Sequence, residues 1–298
     1  MTALDARADS LRDQWLLTAE QVAAFDRDGY LVLRDRIPAD LVERLQDATA
    51  RWLDTAEEGK ADHLYANRPN GRVLWRIDYI HDKGEPVTLE LLGSPAVLGI
   101  AESLAGRDFV PTYESLVVKV PGDGAAVPWH QDAVHERRHR LFNVDVYLDH
   151  SRAGAGALHV VPGSQKQRTD ACSLAETYGY ALPGAIEVEM RPGDVLVHDD
   201  MVVHGSPATG EGSSLRRTIY LEFRAAQSIL EDGPWSPEWM DARLRLLPLA
   251  LAENELQHGT SWEWAVSDGL RPKSLGDKET ELRVVHTAHT PGEWCSAG

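Results

Sequence analysis

The sequence predicts a mainly β fold with flanking helices, and three observations predict it. From Tyr113 onward short β-prone runs alternate with Gly and Pro, helical periodicity is concentrated in the N-terminal third, and 298 residues suffice for one large barrel with helical additions. The whole chain, 1–298, therefore reads as one domain, with a core over about 17–228 and a C-terminal extension over 229–298.

In chain order, Thr18-Ala-Glu-Gln21 has the pattern of a capping box, and Val22, Ala23 and Phe25 continue it as a short amphipathic helix ending near Gly29. Tyr30-Leu31-Val32-Leu33 reads as a strand. Pro38 and Asp40 open a second helix in which Leu41, Val42, Leu45 and Ala48 share one buried face. The β-prone runs follow: Leu116 to Val120, Phe142 to Leu148, Leu158 to Val161, Ala185 to Met190, Val195 to Val197 and Thr218 to Phe223. Short strands at this spacing point to a barrel or double-sheet jelly roll. Beyond Ser228, Trp235, Trp239, Trp262 and Trp264 lie among helical and loop-like stretches and are read as core packing.

Composition narrows the function. Hydrophobic residues make up 43% and charged residues 26%, ordinary globular usage. A net charge of -17 repels polyanions, so nucleic acid is not an expected partner and a coenzyme A ester is an unattractive substrate. No run is long and apolar enough to span a membrane, and Met1 to Gln14 is too polar for a signal peptide, so the expected location is the cytoplasm. Cys172 and Cys295 are far apart and form no CxxC pair, so neither a disulfide framework nor a zinc knuckle is indicated.

His130-Gln131-Asp132 carries the chemistry. On an extended strand the period of two turns His130 and Asp132 to one face, where they can share an ion. A second histidine would complete the two-histidine, one-carboxylate set of non-haem iron. His204 is the best placed, following the Gly193-Asp194 turn and an extended run and preceding Gly205-Ser206-Pro207. Arg216 and Arg217 stand just ahead of the apolar run Ile219 to Phe223. Adjacent strand residues face opposite ways, so one of the two can point inward to grip a dicarboxylate.

These residues resemble the phytanoyl-CoA dioxygenase-like family of iron and 2-oxoglutarate enzymes, from roughly Leu17 to Arg224. The resemblance rests on Asp28-Gly29-Tyr30, Lys119-Val120-Pro121-Gly122, Trp129-His130-Gln131-Asp132, Gly156-Ala157-Leu158, Val161-Pro162-Gly163-Ser164, Gly193-Asp194 and His204-Gly205-Ser206 with its trailing arginine pair. It implies a double-stranded β-helix core, cupin-like, with iron(II) on His130, Asp132 and His204. It also implies Arg216 on the distal carboxylate of 2-oxoglutarate, with Ser206 and Gln131 lining the co-substrate pocket. Two positions depart from the pattern: Gln165 stands where a histidine is common, and the stretch from His204 to Arg216 is one residue longer than usual.

Three protein ligands leave three positions on an octahedral iron for 2-oxoglutarate and O2. Hydroxylation is the expected outcome, with cyclisation, epimerisation or desaturation open to a differently held substrate. Asp132 argues against halogenation, because a halide would need its position. Tyr79 and His135 are candidate substrate contacts. His198-Asp199-Asp200 lacks the flanking motifs of a ligand and is not taken as one. The expected substrate is a small metabolite in natural-product or antibiotic tailoring, such as a sugar or aminocyclitol-containing compound. The alternatives are an acyl or polyketide hydroxylase and a non-redox, metal-binding cupin.

Overall fold

The structure is a computed structural model that describes residues 12–68, 71–122, 126–134, 138–209, 213–232 and 235–272, together with the backbone of 293–294. Its strands are β1 (Tyr30–Leu33), β2 (His63–Arg68), β3 (Gly71–Asp78), β4 (Phe109–Lys119), β5 (Val127–Gln131), β6 (Leu141–Tyr147), β7 (Leu158–Val160), β8 (Ile186–Val188), β9 (Val195–Asp199), β10 (His204–Ser206), β11 (Arg216–Ala225) and β12 (Glu293–Trp294). The helices are α1 (Ala19–Asp28), α2 (Ala39–Thr55), α3 (Val87–Gly93), α4 (Pro95–Ala105), α5 (Ala171–Tyr178), α6 (Ala226–Asp232), α7 (Pro237–Leu244) and α8 (Leu246–His258). One sheet has the order β1, β9, β6, β11, β4, β3, β2, and the other β12, β5, β10, β7, β8. The two face each other without closing into one continuous barrel.

Alternation along the strands of the larger sheet separates two environments. In β11, Ile219, Leu221 and Phe223 enter the main hydrophobic core on the helical side, joined by Val144 and Val146 of β6, Val195 and Val197 of β9, and Leu116 and Val118 of β4. Arg216, Thr218, Tyr220, Glu222 and Arg224 therefore face the other sheet, as do Asn143, Asp145 and Tyr147. At one end of this inner space Tyr147, Leu158, Val160, Val188 and Leu196 form a small apolar plug between the sheets. Beyond the plug most inner positions of β6 and β11 are polar.

The N-terminal elements form as their sequence dictates. Thr18 and Gln21 cap α1 reciprocally, and Gly29 closes it at φ 79°. Leu41, Val42, Leu45 and Ala48 of α2 are buried together. The hairpin of β2 with β3 and helices α3 and α4 were not anticipated. α3 is buried at every residue, so no polar face marks its period. Its backbone touches α8 so closely that a Cβ on Gly93 would lie 2.1 Å from the Ala250 carbonyl oxygen. The tail beyond Ser228, expected to mix helix and loop, supplies α7 and α8, and Trp235, Trp262 and Trp264 join the main core as expected.

α7 is locked to the outer face of β4 by charge. Arg243 is fully buried, donating from Nε to the Pro111 carbonyl at 2.7 Å and from Nη2 to Glu114, which also pairs with His81. Burial opposes ionisation of Glu114, but Arg243 and His81 outweigh it and hold the carboxyl at about 2, below its ordinary 4.5. A depressed acid contributes stability above its unfolded value that is lost as pH falls toward the folded one. Acid titration of the native protein followed by circular dichroism should therefore show stability falling between about pH 4.5 and 2. In Arg243→Met, Glu114 loses its main counter-charge, and we expect a cost of about 3–5 kcal/mol at neutral pH and acid unfolding at higher pH. No single helix among the described residues is long and apolar enough to cross a membrane.

Candidate active site

β5 and β10 pair antiparallel with His130 directly opposite His204, and the two imidazole rings lie 4.0 Å apart between centroids. Asp132, just past β5, lies 3.3 Å from His130 Nε2 through Oδ1 and 3.6 Å from His204 Nε2 through Oδ2. One ligand atom from each of the three fits within 4.8 Å of the others, and no other group of three His, Cys, Asp or Glu among the described residues does so. Both imidazoles face the backbone with Nδ1, toward the Pro128 carbonyl at 2.7 Å and the Val202 carbonyl at 2.9 Å. Nδ1–H therefore donates and Nε2 keeps its lone pair toward the cluster, the tautomer a metal needs.

Charge agrees with that geometry. Burial, and then His130, push the His204 imidazole down to about 3, so it is neutral at neutral pH. Burial works against the Asp132 carboxylate, yet His204, His130 and His198 hold it well below the usual carboxylate range. Two imidazoles and one carboxylate oxygen converging on one point suit divalent iron.

Beneath this cluster lies a pair the sequence reading passed over. His198 and Asp145 are both fully buried, with His198 Nδ1 2.8 Å from Asp145 Oδ2 and Nε2 3.4 Å from Asp132 Oδ2. His198 thus contacts the aspartate from below; the sequence reading left it out of the ligand set. The available signal was the alternation Asn143, Asp145, Tyr147 within an apolar run, which no buried sheet face would tolerate without a use. Asp200 lies in the same layer, held by Asn143 Nδ2 at 3.0 Å. Its carboxyl is raised well above the usual range by burial and by Glu222 and Asp132.

The two arginines are divided as strand alternation requires. Arg217 points outward and is fully occupied, forking onto Asp149 at 2.8 and 2.9 Å and donating to the Gln46 carbonyl at 2.7 Å and Thr49 Oγ1 at 3.0 Å. It fastens α2 to the sheet. Arg216 points inward, donating from Nη1 to the Gly156 carbonyl and, at 3.4 Å, to Ser151 Oγ, so most of its fork stays available. Opposite it in the ladder is Lys119, whose Nζ reaches the Pro207 carbonyl at 2.7 Å. That link brings Ser206 to the same end of the inner space. Its hydroxyl is buried without a hydrogen-bond partner among the described residues, an orphaned donor suited to a carboxylate.

Gln131 requires a correction. It faces away from His130 and Asp132, as the residue between them in a strand must, and spends its amide on the backbone: Nε2 donates to the Gln167 and Met201 carbonyls at 3.0 and 2.5 Å, and Oε1 accepts from Thr169 N–H at 2.9 Å. It braces the loops behind the strand, and both of its Nε2 protons go to the backbone instead of a co-substrate carboxylate. Tyr79 is buried with a left-handed backbone, φ 56°, and packs edge-on against Tyr113. Tyr113 is hydrogen-bonded to Asp78. His135 lies outside the described residues.

Comparison with known proteins decides the family. The phytanoyl-CoA dioxygenase (PhyH) family model matches residues 25–218, a span that contains the whole cluster. The chain belongs to the phytanoyl-CoA dioxygenase family. It is 30% identical over 246 residues to the ectoine dioxygenase of Sphingopyxis alaskensis, covering 72% of this chain and 78% of that protein. Among solved structures, AviO1 from Streptomyces viridochromogenes superposes with a TM-score of 0.60 at 28% identity, covering 72% of this chain and 97% of that one. EctD from S. alaskensis, with 2-oxoglutarate and 5-hydroxyectoine, superposes at 0.60 and 25% identity, covering 74% and 82%. This family member is a 2-oxoglutarate-dependent dioxygenase with a cupin-like core, and its cofactors are iron(II), 2-oxoglutarate and O2. The rival reading of a non-redox cupin is set aside.

Proposed function

We propose that His130, Asp132 and His204 hold the iron, that Arg216 with Ser206 grips the distal carboxylate of 2-oxoglutarate, and that the enzyme oxidises a small polar metabolite. The observation that carries this reading is the convergence of one ligand atom from each of His130, Asp132 and His204 within 4.8 Å of one another. Bound iron with O2 and 2-oxoglutarate supplies the oxidising power to replace a C–H bond, one oxygen atom going to substrate and the other to succinate as carbon dioxide leaves. The chain's own part is positional. His130, His204 and Asp132 would hold the metal from one side, Arg216 fixes the far end of the co-substrate, and the apolar plug of Tyr147, Leu158, Val160 and Leu196 keeps water from one side.

The polarity of the remaining inner face supports the substrate class. Arg76 lies 2.9 Å from Asp78, Tyr113 donates to the same carboxylate, and Thr112 and Arg224 hold Glu222 at 2.5 and 3.1 Å. These groups offer further donors and acceptors to hydroxyl and amine functions, whereas an acyl chain would desolvate them without adding a partner. The S. alaskensis relative, named for ectoine, agrees with a small nitrogen-bearing substrate, and hydroxylated natural-product intermediates in a cytoplasmic tailoring step fit equally. Succinate release should be compared over a panel of amines, aminocyclitols and sugars and a panel of acyl and polyketide substrates. Stimulation by members of the polar panel is expected; stimulation by the acyl panel alone would overturn the substrate class.

A further inference from the structure

We infer that His198 and Asp145 form a positioning dyad that fixes the orientation of the Asp132 carboxylate, and this rests on the metal-site reading above. His198 is the one polar residue in the run Val195-Leu196-Val197-His198, on the inner side of β9, and Asp145 occupies the inner side of neighbouring β6. The imidazole bridges two carboxylates, 2.8 Å to Asp145 Oδ2 and 3.4 Å to Asp132 Oδ2. Oδ2 of Asp132 is thereby engaged from below, while Oδ1 stays beside His130 Nε2 at 3.3 Å. An aspartate held in this way would offer a metal its carboxylate in one fixed orientation.

Stability does not explain the pair. Burying a histidine and a carboxylate costs more than packing apolar groups of the same volume, and Asp145 Oδ1 has no hydrogen-bond partner among the described residues. The plug residues beside them show that apolar side chains fit this layer. What the pair adds is directional: Asp145 orients the imidazole, and the imidazole orients the ligand, the arrangement by which outer-shell partners tune metal sites.

The test is anaerobic iron(II) affinity, by competition with a chromophoric chelator, on the full chain and on His198→Phe, His198→Gln and Asp145→Asn, with the visible band of the iron–2-oxoglutarate complex recorded for each. His198→Phe keeps the ring volume and removes the bridge, and we expect iron affinity about 10–100-fold weaker with a shifted or weakened band. His198→Gln, which can still donate to Asp132, should recover most of that loss. Asp145→Asn should fall between, and together with His198→Gln it carries the test if His198→Phe does not fold. Parental affinity and an unchanged band in folded His198→Phe would overturn the dyad while leaving the triad standing. A parent chain whose iron affinity is indifferent to His204→Ala would overturn the triad itself, and the dyad with it.

Discussion

Replacing His204 by alanine is expected to abolish 2-oxoglutarate turnover in a protein that still folds. His204 opens β10, is nearly inaccessible, and meets His130 and Asp132 at contact distance. The substitution removes one of the three proposed ligands, so the loss of iron affinity should exceed the roughly 10–100-fold typical of an outer-shell partner. Folding should survive, since the backbone pairing of β10 with β5 and β7 does not involve the imidazole. Iron titration and succinate release, with circular dichroism as the control for folding, measure both halves of the expectation. Chelation of the native enzyme should reproduce the variant's inactivity and be reversed by iron(II).

The second large effect separates the two arginines. Arg216→Ala removes the inward guanidinium, and truncating one partner of a buried charge pair costs about 2–5 kcal/mol. The 2-oxoglutarate concentration needed for half-maximal turnover should rise on the order of a hundredfold, with iron binding intact. Arg217→Ala instead strands Asp149 and frees α2 from the sheet, so the thermal midpoint should drop while the 2-oxoglutarate requirement changes little. The reverse pattern would reassign the clamp to Arg217.

The distinction between these arginines shows how far the sequence could be read. Alternation alone required one of Arg216 and Arg217 to face inward, and only the Asp149 fork, made across 68 positions of sequence, shows where Arg217 goes. The triplet His130-Gln131-Asp132 was legible because strand period is local, yet the same period turns Gln131 away from the site. α3 and α4 were missed because helices buried on nearly every side carry no clear polar stripe, and Pro95 at the start of α4 reads as a break. The hairpin of β2 and β3 was missed because its strands are half-exposed and charged, without clean alternation. His198 was discounted as a ligand on its flanking residues, and its use as a bridge depends on Asp145, 53 positions away. Pairings of that kind belong to the tertiary structure and leave only a polar residue in an apolar run as their trace.

The central claim, one iron held by His130, Asp132 and His204 with 2-oxoglutarate anchored by Arg216, is tested most directly by the anaerobic visible spectrum as iron(II) and then 2-oxoglutarate are added. The account predicts a weak charge-transfer band that needs both additions, vanishes in His204→Ala, and in Arg216→Ala appears only at much higher 2-oxoglutarate. A band that survives His204→Ala unchanged, or none in well-folded native protein, would contradict it.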